Sequence, residues 1–241
     1  MNNFSKKQKS ILALIIAAFG GIALYITLTN VKKPQPIVKK PKRIEQAIKK
    51  RVYKPRATKK GVFPEQVRGE IVSLKKFSIK YAFDFYKMFS PTVRKHLEFP
   101  EKMTFGEVTM DIKLEIDAMK KGHSIAYTIW DNKDEKLIGS IKITERSTEH
   151  YSGYHGQLAM WLNENYWGGG RIQEAIKLIS KTYFEVYPRA ENYTAHARTW
   201  NPRSFRTLEK AGFKRVSEFS EDGKVTQYRY ELSRDTVIQR D

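Results

Sequence analysis

The sequence contains no cysteine. That excludes disulfides, a thiolate metal site and a cysteine nucleophile. Five histidines are present (His96, His123, His150, His155, His196), but not at the spacing of a zinc site, and no metal is expected. Charge is missing altogether from residues 11–30, and acids are nearly missing from 31–60, where Glu45 stands against thirteen Lys/Arg. Those thirteen, with Glu45 set against them, and the three lysines of residues 1–10 account for all but four of the formal net charge of +19. The basicity therefore belongs to an N-terminal arm. It does not mark the rest of the chain as a nucleic-acid binder.

Residues 11–29, ILALIIAAFGGIALYITLT, are long and apolar enough to span a bilayer as one helix. Lys6, Lys7 and Lys9 resemble the basic start of a signal peptide, but the run is long and no small-x-small cleavage pattern follows, so an uncleaved anchor is expected. Eight basic residues follow the run within twenty-odd positions, against three before it, which places the C-terminal bulk in the cytoplasm. Residues 30–60 read as a linker in which Pro34, Pro36, Pro41 and Pro55 alternate with basic pairs. It is a solvated tether, a strip lying on anionic lipid, or a contact for RNA phosphates; near lipid each basic residue contributes roughly 1 kcal/mol. The expected division is a basic N-terminus (1–10), a transmembrane helix (11–29), the linker (30–60) and a globular domain (61–241).

Within 61–241 the patterning alternates between helix and strand. A strand is expected over 70–74, a helix from Ser78 to Phe89, and a short one from Pro91 to Leu97. Thr104 and Glu107 form a capping box before a helix with Val108, Ile112, Ile116 and Met119 on one face, ending at Gly122. Two alternating runs across Asp131–Glu135 read as a hairpin, 145–155 as a loop, and 156–162 as a further strand. A helix follows, stopped by Pro188, then a strand over 193–196, a helix beginning at Pro202 and ending at Gly212, and a terminal hairpin.

Between the strand at 156–162 and the helix after it lies Asn165-Tyr-Trp-Gly-Gly-Gly-Arg171. Three glycines at a strand-to-helix turn let backbone approach a ligand closely. The helix start adds unpaired N–H donors and the positive end of the dipole, which together suit a phosphate.

The stretch WLNENYWGGGRIQEA (161–175) and Asn201-Pro-Arg-Ser204…Glu209-Lys210-Ala-Gly212-Phe213, on this order of elements, resemble the GCN5-related N-acetyltransferase (GNAT) superfamily. Within it they resemble the ribosomal-protein alanine acetyltransferase branch. The resemblance covers roughly 68–233 and implies an α/β (α+β) fold: a mixed, mostly antiparallel sheet flanked by helices. It implies an acyltransferase that moves acetyl from acetyl-CoA to a primary amine, with a protein N-terminal amine as one candidate acceptor. By that resemblance Trp167, Gly168, Gly169, Gly170, Arg171 and Ile172 hold the pyrophosphate. A strand N–H at Trp161 or Leu162 polarises the thioester carbonyl at an edge that splays from the next strand. Asn201 contacts the pantetheine arm, and Ser204 protonates the leaving thiolate. Glu164 is the candidate base, with Glu145 and Glu149 as alternatives, and the loop 150–155 with helices 79–119 lines the acceptor cleft. Two residues depart from the family pattern. Ile172 is bulky where a small residue is usual, and Leu208 stands where many relatives have a tyrosine acid. They keep open a catalytically degenerate GNAT-fold scaffold at the membrane.

Overall fold

The structure, a computed structural model, describes residues 63–147 and 154–239. The expected membrane helix, the basic linker and Glu149 lie outside the described residues. Among the described residues no helix is long and apolar enough to cross a membrane.

In chain order the elements are β1 (Gln66–Arg68), β2 (Val72–Lys76), a 3-10 turn (Ile79–Tyr81), α1 (Ala82–Met88), α2 (Pro91–His96), α3 (Phe105–Lys120), β3 (Ser124–Asp131), β4 (Lys136–Ser147) and β5 (Tyr154–Leu162). A second 3-10 turn (Glu164–Tyr166) leads to α4 (Arg171–Val186), then β6 (Asn192–Arg198), α5 (Pro202–Lys210), β7 (Lys214–Glu221), β8 (Lys224–Ser233) and α6 (Arg234–Ile238). The eight strands form one sheet, ordered β1-β2-β3-β4-β5-β6-β8-β7. Every junction is antiparallel except β5–β6.

Local chemistry explains the main boundaries. The capping box at α3 is complete: the Glu107 N–H donates to Thr104 Oγ1, and the Thr104 N–H donates to Glu107 Oε2. Gly122 ends that helix in the left-handed region that glycine tolerates. Ser90 caps α2, Asn201 caps α5, and each helix has a proline in its first turn.

Helices cover both faces of the sheet. On one face Trp161 of β5 packs against Phe85 of α1 and Phe89 just after it, and Lys142 of β4 reaches Glu115 of α3. On the other, Ile143 and Tyr183 of α4 crowd Gly156, and α4 buries Ala175, Ile176 and Ile179. Sequence patterning missed β1 and α6, and it ended β4 too early. Glu145 is not in a loop: it sits in β4 opposite Gly156, half-buried on the α4 face. Burial pushes its carboxyl above the ordinary value, against the pull of the Tyr183 hydroxyl.

Candidate functional site

β5 and β6 pair over three residues only, Gly156–Leu158 against Tyr193–Ala195. Beyond Leu158 the strands diverge, and the remaining edge of β5 faces a gap. Register decides which groups face it. The Asn163 N–H donates to Ile138 O across the β4 ladder. Backbone groups alternate sides along a strand, so Trp161 also bonds toward β4, while Met160 and Leu162 direct their N–H groups into the gap. Of the two expected donors, Leu162 is therefore the one at the edge. Trp161 contributes its indole to the opposite packing face, against Phe85 and Phe89.

The gap leads to the glycine turn. Gly168, Gly169 and Gly170 have φ of 89°, 63° and 76°, so all three lie in the left-handed region. A side chain at any of them would be strained, and around a Cβ at Gly168 there is open space. Gly170 is the N-cap of α4, and the first hydrogen bond of that helix runs from the Glu174 N–H to Gly170 O. The N–H groups of Arg171, Ile172 and Gln173 therefore precede the intrahelical ladder. Consecutive N–H donors at a dipole's positive end make an anion cradle.

Two side chains of the same helical turn fix the cradle from behind. Arg171 Nε donates to Asp131 Oδ2 at 2.6 Å. Burial pushes Asp131 up, but the Arg171 hydrogen bond, the Asp134 and Lys133 N–H groups and the Arg171 charge outweigh it, and its carboxyl sits below the ordinary value. Glu174 accepts the backbone N–H groups of Glu70, Ile71 and Val72 at 2.8, 2.8 and 2.6 Å. Its carboxylate fills the space where a Cβ on Gly69 would lie, 2.6 Å from the Glu174 carboxyl carbon. Removing the Glu174 carboxylate strands three donors at the start of β2. Glu174→Ala is expected to lower stability by about 2 kcal/mol and to loosen the cradle, as read by denaturant unfolding. Unfolding that matches the native chain would dismiss the anchor.

The remaining expected residues have different surroundings. Ile172 is half-buried and packs against the core. Asn201 Oδ1 accepts the Ser204 N–H at 3.2 Å, so the asparagine orders the first turn of α5 and Ser204 stands half-buried within it. Leu208 is buried in the core, and no hydroxyl occupies that position. Glu164 Oε2 accepts the Ser90 hydroxyl at 2.7 Å, tying the end of β5 to the cap of α2. Glu145 lies where β5 and β6 are still paired, away from the open part of the gap.

The structure adds Gln157, His196, His96 and Arg203, which sequence patterning did not single out, and gives Trp167 its partners. Gln157 and His196 meet across the closing point of the gap, Nε2 to Nδ1 at 2.9 Å. Trp167 donates its indole N–H to Leu162 O at 3.0 Å, His96 packs edge-on against it, and the Arg203 guanidinium lies 3.7 Å from its ring centre. Apart from the Trp167–Leu162 bond, these contacts join residues dozens of positions apart, so no local pattern signals them. Among the described residues no cluster of His, Asp or Glu could hold a metal ion.

A family model described as an acetyltransferase (GNAT) domain matches residues 72–214. No curated protein matches the sequence significantly. Solved structures share the fold at low identity. An acetyltransferase of the GNAT family from Bacillus anthracis is 18% identical, with a TM-score of 0.57, over 70% of this chain and 99% of its own. A ribosomal-protein-S5-alanine acetyltransferase from Vibrio fischeri is 14% identical, with a TM-score of 0.58, over 70% and 97%. A microcin C7 self-immunity acetyltransferase, solved with acetyl-CoA and AMP, is 15% identical, with a TM-score of 0.55, over 68% and 93%.

Proposed function

Because the chain belongs to the GNAT acetyltransferase family, an acyltransferase family that uses acetyl-CoA, we propose that it acetylates a primary amine, in particular a protein N-terminal amine, from a membrane-tethered position facing the cytoplasm. The observation that carries the reading is the glycine turn at the head of α4, opening onto the β5 edge that β6 leaves unpaired. A diphosphate fits such a cradle, and an extended amide-bearing arm fits an unpaired strand edge.

When bound, acetyl-CoA supplies an activated acyl carbon. The chain does the rest. Gly168 to Ile172 hold the diphosphate through backbone N–H groups. The Leu162 N–H, at the unpaired edge of β5, would stabilise negative charge developing on the carbonyl oxygen, and a fixed donor there would lower the barrier. Asn201 braces the α5 turn that carries Ser204, and in this reading the Ser204 hydroxyl would protonate the departing thiolate. Glu164, oriented by Ser90, is the carboxylate for the amine proton, directly or through water. With a leucine at 208, Ser204 is the hydroxyl left for the acid step.

The solved relative that acts on ribosomal protein S5 supports an N-terminal amine as acceptor. The apolar run 11–29 supports the tether, with the basic strip 31–60 against anionic headgroups or RNA. Deleting 11–29 is expected to move the protein from the membrane to the soluble fraction, whereas deleting 31–60 leaves it membrane-bound. The reverse pattern would assign the attachment to the basic strip.

The cofactor assignment is tested by calorimetric titration of the full chain with acetyl-CoA. Micromolar binding is expected. Gly168→Asp sets a carboxylate at the cradle and strains the left-handed turn, and the two together are expected to weaken binding at least tenfold, a loss of about 1.4 kcal/mol or more, with circular dichroism unchanged. No binding by the native chain at high micromolar ligand removes the enzyme reading and leaves the scaffold.

A further inference from the structure

The cradle has a vacancy of charge rather than of shape. Arg171, the cation that the sequence places on it, is tied to a carboxylate: its Nε is bonded to the buried Asp131, its guanidinium lies 5.7 Å from the Tyr166 ring, and its Nη1 lies against Gly169, 2.6 Å from where a Cβ there would stand. A guanidinium locked to a carboxylate offers little net charge to a second anion. The other cation beside the turn comes from across the gap. Arg203, in the first turn of α5, lies with its guanidinium carbon 3.7 Å from the centre of the Trp167 ring, and Trp167 immediately precedes Gly168.

The manner of contact matters. A stacked guanidinium uses its face and leaves the rim of N–H donors in its plane available for a bidentate anion. Arg203 is exposed, and among the described residues no carboxylate or carbonyl takes up its donors. Its platform is fixed on two sides, by the indole hydrogen bond to Leu162 O at 3.0 Å and by the edge-on His96 ring 5.4 Å away. Ring and guanidinium together span from the end of β5 to the head of α5.

We propose that Arg203, presented by Trp167, is the side-chain cation that binds the phosphates of the cofactor, and that Arg171 is a positioning residue that holds the cradle to β3. The proposal rests on the acetyl-CoA reading above and assigns within it which arginine meets the anion. It also makes phosphate recognition a joint property of both sides of the gap, since Arg203 and the glycine turn belong to different strands' ends.

The test is titration of the full chain with two ligands, acetyl-CoA and S-acetylpantetheine, which lacks phosphate. Arg203→Ala is expected to weaken acetyl-CoA on the order of tenfold, the usual loss for a charge-assisted hydrogen bond, and to leave acetylpantetheine within twofold. Arg206→Ala, one turn further along α5, is the control for general surface charge and is expected to leave both ligands within twofold. Equal weakening of both ligands by Arg203→Ala would show that it acts through the fold, and would overturn the proposal. So would unchanged acetyl-CoA affinity, or an equal loss in Arg206→Ala. Failure of the native chain to bind acetyl-CoA would instead sink the functional reading beneath it.

Discussion

Gly139→Ala is expected to cost about 3 kcal/mol of stability and to abolish measurable acetyl-CoA binding. A Cβ at this position would lie 2.2 Å from Trp161 O and 2.9 Å from Leu162 Cα. Both are backbone atoms of the neighbouring strand, so no rotamer change relieves the clash. The strands come this close because β4 carries an irregularity on its other side. Ile129 pairs with Gly139, and Trp130 pairs with Leu137, which leaves Ile138 as an extra residue. Such a bulge bends and twists the strand that contains it. Here it sets Gly139 against β5 just where β5 begins to line the gap. Overpacking of side chains typically costs 1–3 kcal/mol, and a collision with backbone belongs at or above the top of that range. Against a total stability of roughly 5–15 kcal/mol the variant still folds at low temperature. The strand end it displaces carries the Leu162 N–H and the carbonyl that receives the Trp167 indole, so the functional loss should exceed the thermodynamic one. Denaturant unfolding and calorimetric titration read the two effects separately. A variant that melts and binds like the native chain would show that β5 can yield at this point.

Much of this arrangement is legible in the sequence because it is local. The Thr104/Glu107 box, the proline-led starts of α2 and α5 and the three glycines are decided by interactions within a few residues, and the structure places each where patterning does. What escaped is what the sheet assembles. Glu174 reads as an ordinary helix residue until β2, more than a hundred positions earlier, delivers three N–H groups to it. Arg171 reads as a ligand-facing cation until Asp131 claims it. Leu162 and Trp161 are adjacent in sequence, yet their backbone groups face opposite neighbours, and register alone separates them. Polar residues at the end of β4 resembled a loop because Glu145 is charged, although its side chain is half-buried on the α4 face. The transmembrane span, the basic linker and Glu149 remain expectations from sequence.

Removing one carboxylate should make the fold more stable above neutral pH. Asp111 and Glu115 lie one turn apart on the buried side of α3. Glu115 is fully engaged: Lys142 Nζ lies 2.6 Å from one oxygen, and the Ser124 hydroxyl donates to the other. Asp111 is 5% exposed, and among the described residues neither of its oxygens has a hydrogen-bond partner. Burial, the largest cause, pushes its carboxyl up, the Lys142 charge pulls it down and the Glu107 charge pushes it up, for a net rise to about 7. A carboxyl whose pKa is raised on folding keeps its proton longer in the folded state. Its neutral form therefore fits the fold without penalty below the ordinary value of 3.8, and stability is lost as pH rises from there to about 7. Above that pH the folded chain holds an ionised, unpartnered carboxylate. The full shift corresponds to about 4 kcal/mol at 1.36 kcal/mol per unit. Partial access of water and the shared field of Lys142 reduce this to about 2 kcal/mol. Asp111→Asn keeps the shape and removes only the titration. Its advantage over the native chain should therefore grow by about 2 kcal/mol between pH 4 and pH 8, with the rise centred between 4 and 7. The other ionisable groups are common to both chains and cancel in the difference. Denaturant unfolding across that range measures it, and two curves that stay parallel would show that the carboxylate finds a partner or water when it ionises. The site is coupled to this seam through β4, which carries Lys142, the partner of Glu115, on one face and holds the β5 edge on its flank. A variant stabilised here should therefore retain its acetyl-CoA affinity at alkaline pH to a higher temperature than the native chain.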